Sequence, residues 1–135
     1  MNDLHRVLGA LHPVVERDGV TVVARFEPQP EHRGIPGLLH GGLAATVLDH
    51  VCARAASAAL GGPVVTGRLD LRYRRPVPLA GGPYRAEATA ERARGRRVRV
   101  RGAIRDDGGR PLVQAEALFL LAPDGLGPPP RADHD

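Results

Sequence analysis

Hydrophobic and polar residues alternate with a period of two in four stretches of the second half of the chain. The stretches cover 64–74, 84–92, 97–105 and 111–121. Successive side chains of a β-strand point to opposite faces, so each stretch is predicted to be a strand with one apolar and one polar face. Turns rich in Gly and Pro join the stretches. We therefore expect consecutive strands to pair antiparallel, as a meander.

The first half of the chain predicts a hairpin followed by a loop. Val14-Val15 and residues 20–26 flank Asp18-Gly19, a dipeptide typical of tight hairpin turns. A loop rich in Pro and Gly is expected over 28–37, and the first dozen residues carry a weak helical signal.

One long helix is predicted from Gly41 to about Leu60. The stretch is rich in Ala and Leu and is followed by Gly61-Gly62-Pro63, a typical stop signal. It is apolar on nearly every side, so we expect other elements to wrap it. Asp49, His50 and Arg54 interrupt it, which argues against a membrane span. The simplest architecture is an α+β fold in which a curled antiparallel sheet surrounds one central helix.

Composition bounds the domain count and favours self-association. The 135 residues have room for one domain, expected over 1–122, with a disordered tail over 123–135 rich in Pro, Gly and Asp. The chain has no Trp, two Phe and two Tyr. A core of small side chains buries little area, so we expect a dimer at least. Cys52 is the single cysteine, which excludes an internal disulfide. The N-terminus shows no signal peptide, so a soluble cytoplasmic protein is expected.

The start of the predicted helix, His40-Gly41-Gly42, is the first candidate for chemistry. Glycines let the backbone approach a ligand closely, and the first helical turn has N–H groups without intrahelical partners. Such donors suit a carbonyl oxygen that becomes an oxyanion. By itself, this tripeptide is more typical of an ordinary Gly-rich loop that enters a helix.

Asp49 is the second candidate, because it interrupts an apolar helical stretch. Burying an unpaired carboxylate is costly, so Asp49 either pairs with Arg54 or a strand arginine, or serves as a general base or nucleophile. His50 is expected to be a packing or interface residue. Metal binding by His40, Asp49 and His50 would need a further convergent ligand that the sequence does not clearly supply, so no metal or other cofactor is expected.

The stretch GIPGLLHGGLAATVLDH resembles the signature of the PaaI-like hotdog thioesterases, in which an Asp follows the His of His-Gly-Gly by nine residues. VVTGRLDLRYRRPVPL, ERARGRRVRV and QAEALFLL resemble later strands of the same family. The resemblance covers about residues 20–121 and implies a hotdog fold and hydrolysis of acyl-coenzyme A (acyl-CoA) thioesters. It also implies a homodimer or homotetramer with the active site at a subunit boundary.

Carried over by position, the resemblance makes Asp49 the general base or nucleophile. It makes the Gly41 N–H the donor to the thioester oxygen, places His40 and Gly42 in the same pocket, and has Thr66 hold the attacking water. Many relatives have an Asn six residues before the His, where this chain has Gly34. Catalysis is then expected to depend more on the backbone donor. The sequence does not specify which acyl group the substrate carries.

Arginine accounts for all the basic residues other than His, and the net charge is +4. Forked guanidinium groups bind phosphates well. The resemblance implies that the nucleotide end of coenzyme A contacts strand and turn residues, namely Arg72, Arg74, Gly95, Arg96 and Arg97. Nucleic-acid binding is not expected, because the β-strand arginines share one solvated face and few aromatic residues accompany them.

Two other functions stay open on the sequence. One is a thioesterase acting on acyl carrier protein thioesters, since arginine-rich surfaces attract acidic carriers. The other is a non-catalytic acyl-CoA-binding module on the same scaffold.

Overall fold

The computed structural model describes residues 12–16, 19–28 and 37–123. Over these ranges the elements are β1 (His12–Glu16), β2 (Gly19–Phe26), α1 (Gly41–Leu60), β3 (Val64–Tyr73), β4 (Tyr84–Ala90), β5 (Arg97–Arg105) and β6 (Pro111–Leu121). The predicted helix and the four later strands are confirmed, with ends within two residues of expectation. The expected N-terminal helix, most of the 28–37 loop with Gly34, and nearly all of the tail lie outside the described residues.

The six strands form one antiparallel sheet in the order β1-β2-β4-β5-β6-β3. The predicted meander is therefore wrong for β3, which pairs with β6 at the far edge rather than with β4. Residues 74–83 join β3 to β4, and they are too long and too rich in proline for a tight hairpin. Part of this connection pairs with the segment before α1, at Leu38 and Pro78. β2 occupies the place beside β4 instead.

The predicted hairpin of β1 and β2 is confirmed, but Gly19 lies in a strand rather than in the turn. Glu16, the last residue of β1, pairs with Gly19. Gly19 begins β2, and a Cβ there would overlap the carbonyl oxygen of Ala90. The glycine is therefore required for the close approach of the end of β4.

The core lies between α1 and the inner face of the sheet, where β2 to β6 contact the helix. Phe26, Leu48, Ile104 and Phe119 are its largest fully buried side chains. The predicted antiparallel sheet around one central helix is confirmed, and the sheet is not closed, so that Arg54 of the helix stays exposed. α1 is long and apolar enough to cross a membrane by length and composition, a test that the core helices of soluble proteins also pass.

Strand β3 forms one edge of the sheet and is irregular near its start. Its pairing with β6 shifts between Thr66 and Arg68, so Gly67 is the extra residue of a β-bulge. Val65 and Tyr73, near the two ends of β3, are 39% and 53% exposed. β3 therefore presents a long edge that has no second strand among the described residues.

Candidate active site

The first turn of α1 is fixed by three hydrogen bonds that His40 accepts. His40 is the N-cap residue, with φ −64° and ψ 130°, and its Nδ1 accepts a hydrogen bond from the Gly42 N–H at 2.9 Å. The His40 carbonyl accepts from the N–H groups of Leu43 and Ala44 at 3.1 and 3.3 Å. The Gly41 N–H has no acceptor among the described residues. This N–H, at the positive end of the helix dipole, can donate to a developing oxyanion.

Asp49 and Thr66 form the second part of the candidate site. The Thr66 hydroxyl donates to Asp49 Oδ1 at 2.9 Å, which joins the middle of α1 to the bulged start of β3. Asp49 is half-buried and Thr66 is exposed. The alternative of an arginine partner is not observed, since no ion pair between described residues involves Asp49. A carboxylate held in this way can accept a proton from a bound water.

Gly41 and Asp49 of one chain do not converge on one point. Eight residues separate them on one helix, which corresponds to about 12 Å along the axis at 1.5 Å per residue. The oxyanion donor must lie about 3 Å from the oxygen of the carbonyl that the base-activated water attacks. One chain thus holds two half-sites: one around Gly41, and one formed by Asp49 and Thr66.

The sequence alone does not single out Tyr73 as a site residue, yet Tyr73 contacts the first half-site. Its hydroxyl donates to the Gly41 carbonyl at 2.7 Å. A Cβ on Gly41 would lie 3.6 Å from Tyr73 Cε1, so the ring lies against the first residue of the helix. The available signal was its position, because Tyr73 ends the alternating series of Leu69 and Leu71, which pack against the core.

The arginines predicted to hold coenzyme A fall into two groups within the chain. Arg72 and Arg74 lie on the outer face of β3 or just after it, next to Tyr73, and Arg74 Nε donates to Gln114 at 2.7 Å. Arg96 and Arg97 lie at the β4–β5 turn, where Arg97 pairs with Leu120. On β6, Gln114 and Leu120 are six residues apart, or about 20 Å.

Along the strand direction, each arginine group lies at the level of a different half-site, with Arg72 and Arg74 on the outer face of the sheet. Arg72 and Arg74 flank Tyr73, which contacts Gly41. Arg97 lies beside Val98, which shares a row across the sheet with Phe119 and Thr66. The turn before β5 has Gly95 at φ 63°, as the first central residue of a tight two-residue turn. Binding of coenzyme A by these residues stays a prediction.

Cys52 lies one turn after Asp49 and is fully buried. Burial, and then the nearby Asp49 carboxylate, raise the pKa of the thiol to about 12. A thiol with such a pKa is protonated at neutral pH and is a poor nucleophile. No group of three or more His, Cys, Asp or Glu side chains placed to bind a metal occurs in the described part of the chain.

Comparison with known proteins identifies the family. Residues 36–113 match the family model described as Thioesterase superfamily, and the chain belongs to this superfamily. A relative named Acyl-coenzyme A thioesterase THEM4, from Xenopus laevis, is 35% identical over 100 residues, which cover 73% of this chain and 44% of the relative. The chain spans less than half the length of the curated relatives that it matches.

Solved structures support the same fold. A crystal structure of a thioesterase superfamily protein has 34% identity and a TM-score of 0.67, and the match covers 74% of this chain and 48% of that one. A Ralstonia eutropha protein described as phenylacetic acid degradation-related has 25% identity and a TM-score of 0.73, with 84% of each chain covered. The predicted hotdog fold is confirmed.

Proposed function

We propose that this protein hydrolyses acyl-CoA thioesters at a site built by two copies of the chain. The observation that carries the proposal is the 2.9 Å hydrogen bond from Thr66 to Asp49, which holds a carboxylate at an open edge of the sheet. Membership of the thioesterase superfamily and the similarity to THEM4 proteins named acyl-coenzyme A thioesterases support the reaction class.

Two copies are required because the two half-sites of one chain are about 12 Å apart along the helix. An antiparallel arrangement of two copies brings Gly41 of one copy to Asp49 of the other. The unpaired edge of β3 suits this arrangement. Antiparallel pairing of β3 with a second β3, centred near Leu69 and Asp70, would set Thr66 of one strand opposite Tyr73 of the other. The dimer then has two equivalent sites related by a two-fold axis.

The same arrangement unites the two arginine groups. Arg72 and Arg74 accompany the Gly41 half-site, whereas Arg96 and Arg97 lie near the Asp49 half-site. At a shared site, both groups would flank one entrance, where guanidinium forks can bind the pyrophosphate and 3′-phosphate of coenzyme A. The composition of the chain, poor in large aromatic side chains, also favours burial against a partner.

In the proposed reaction Asp49 accepts a proton from a water molecule while the water oxygen bonds to the thioester carbonyl carbon. The carbonyl oxygen becomes an oxyanion and accepts a hydrogen bond from the Gly41 N–H of the other copy. The carbon–sulfur bond then breaks, and coenzyme A leaves as a thiol after taking up the proton. Thr66 keeps the carboxylate oriented, and His40 shapes the pocket. Direct attack by Asp49, through a mixed anhydride, is the alternative route, and incorporation of labelled water oxygen into Asp49 would distinguish it.

The first test is a thiol-release screen with hexanoyl-, palmitoyl- and phenylacetyl-CoA, together with hexanoyl acyl carrier protein. We expect turnover of at least one CoA thioester, and a loss of about 10²- to 10⁴-fold in kcat for Asp49→Asn. Asp107→Asn is the matched control, because its exposed carboxylate lies in the β5–β6 turn. No thiol release from any CoA substrate would refute the proposal. If the acyl carrier protein thioester alone were cleaved, the protein would be a thioesterase for carrier-bound substrates instead.

The second test addresses the shared site. Gly41→Pro removes the proposed N–H donor and is compatible with the helix, since proline is tolerated at the first helical position and His40 already has the extended backbone that precedes proline. Asp49→Asn and Gly41→Pro homodimers should both be inactive. Random mixing of their subunits restores about a quarter of wild-type sites, because each heterodimer has one intact site. No recovery on mixing would contradict a site shared between subunits.

A further inference from the structure

We infer that Tyr73 is a positioning residue that holds the peptide unit between Gly41 and Gly42 in the orientation that catalysis requires. This inference rests on the proposed function, because it assigns the oxyanion donor to the Gly41 N–H. It gives a role to Tyr73, to which the resemblance in the sequence assigns none.

The need for such a residue follows from the two consecutive glycines at the helix start. Glycine populates backbone conformations that other residues avoid, so a Gly-Gly peptide can rotate at little steric cost. Terminal turns of helices also fray readily. An oxyanion donor at this place would lose its direction unless the neighbouring peptides were held from outside the helix.

The structure holds the peptide unit at both of its polar atoms. The N–H end, on Gly42, donates to His40 Nδ1 at 2.9 Å, and the C=O end, on Gly41, accepts from the Tyr73 hydroxyl at 2.7 Å. Rotation of this peptide would break both hydrogen bonds together. The preceding peptide is held by the His40 carbonyl, which accepts from Leu43 and Ala44, so its N–H points away from the helix as the remaining donor.

Tyr73 is itself held in place by the sheet and by the loop that follows β3. Arg74 and Arg75 both donate their N–H groups to the Leu112 carbonyl, at 2.8 and 3.0 Å. Further along, the Leu39 N–H donates to the Val77 carbonyl at 2.9 Å, which ties the segment before the helix to the same loop. The hydroxyl of Tyr73 therefore connects a fixed strand end to the Gly41-Gly42 peptide at the helix start.

The test compares Tyr73→Phe with Ser57→Ala. Tyr73→Phe removes the hydroxyl and keeps the ring that lies against Gly41. Ser57→Ala removes a similar bond, from a hydroxyl to the Gly62 carbonyl at 2.7 Å, at the opposite end of the same helix. With the best CoA thioester of the screen, we expect kcat to fall about tenfold in Tyr73→Phe with KM changed less than about twofold. Ser57→Ala should lower thermal stability and leave kcat unchanged.

Amide hydrogen exchange of Gly42 gives a readout that does not depend on turnover. It should accelerate about tenfold in Tyr73→Phe and stay at the wild-type rate in Ser57→Ala. An unchanged exchange rate in Tyr73→Phe, or equal losses of kcat in both variants, would overturn the inference. Faster exchange of Gly42 in a protein that cleaves no CoA thioester would support the positioning of the peptide while the proposed function fails.

Discussion

The thiol of Cys52 makes the stability of the protein depend on alkaline pH in a calculable way. The thiol ionises with a pKa of 9.0 when unfolded and about 12 when folded, because burial and the Asp49 carboxylate oppose the thiolate. Above pH 9 the unfolded state loses this proton and the folded state keeps it. The stabilisation is therefore complete below pH 9 and is lost as pH rises towards 12.

The magnitude follows from the shift. Three pKa units correspond to about 4 kcal/mol over the whole window, at about 1.36 kcal/mol per unit. At pH 10 the expected loss is about 1.4 kcal/mol, since the unfolded thiol is mostly ionised there and the folded thiol is not. The pKa of Tyr84 is also raised, by burial and then by Asp106. The protonated form of Tyr84 therefore also favours the folded state, and this contribution to stability is lost as pH rises above 10.

The assay is urea unfolding of wild type and Cys52→Ala at pH 8 and pH 10, at one protein concentration. The contribution of Tyr84 is common to both proteins and cancels in the difference. We expect the free energy of unfolding of wild type to fall by about 1.4 kcal/mol more than that of the variant. Equal decreases would refute the reasoning. In Asp49→Asn, the thiolate absorbance of the folded protein should titrate at lower pH, because the nearby negative charge is gone.

Two substitutions test the packing and the outer face of the sheet. Gly102→Ala would place a Cβ 2.8 Å from Cys52 Sγ and 3.1 Å from the Glu87 carbonyl, so we expect about 1–3 kcal/mol of destabilisation in urea. In a Cys52→Ala background this loss should shrink, and an unchanged loss would argue against the clash. Glu87→Gln removes ion pairs of 3.0 and 3.2 Å with Arg85 and Arg105, which are partly exposed. Its cost should stay below about 1 kcal/mol and fall further in high salt, as thermal unfolding at two salt concentrations would reveal.

The helix and the strands could be predicted well from the sequence, but the order of the strands in the sheet could not. Alternation over 97–105 specifies which face of β5 is buried, and the helix bounds follow from Gly41 and Gly61. Alternation carries no information about which strand lies beside which. The position of β3 next to β6 depends instead on a ten-residue connection that crosses to the far edge of the sheet.

The candidate site was predictable in part, for a similar reason. Asp49 is conspicuous because a carboxylate interrupts an apolar helix. Thr66 is predicted to be a site residue only through the resemblance to a family. Tyr73 looked like one more alternating apolar position, because its partner is a backbone carbonyl 32 residues away. A sequence does not mark hydrogen bonds to the main chain, so residues that orient a peptide are harder to find than residues that carry charge.

The two edges of the sheet differ in a way that limits the size of an assembly. The β3 edge has ten residues, whereas the opposite edge, β1, has five. If two copies assemble by pairing β3 with β3, the same edge is used on both, and neither copy has a long unpaired edge left. Growth by further strand addition then has only the short edge left, on which few backbone hydrogen bonds could form. Pairing through β3 is therefore self-terminating, and it gives a closed pair of chains rather than an open-ended fibre.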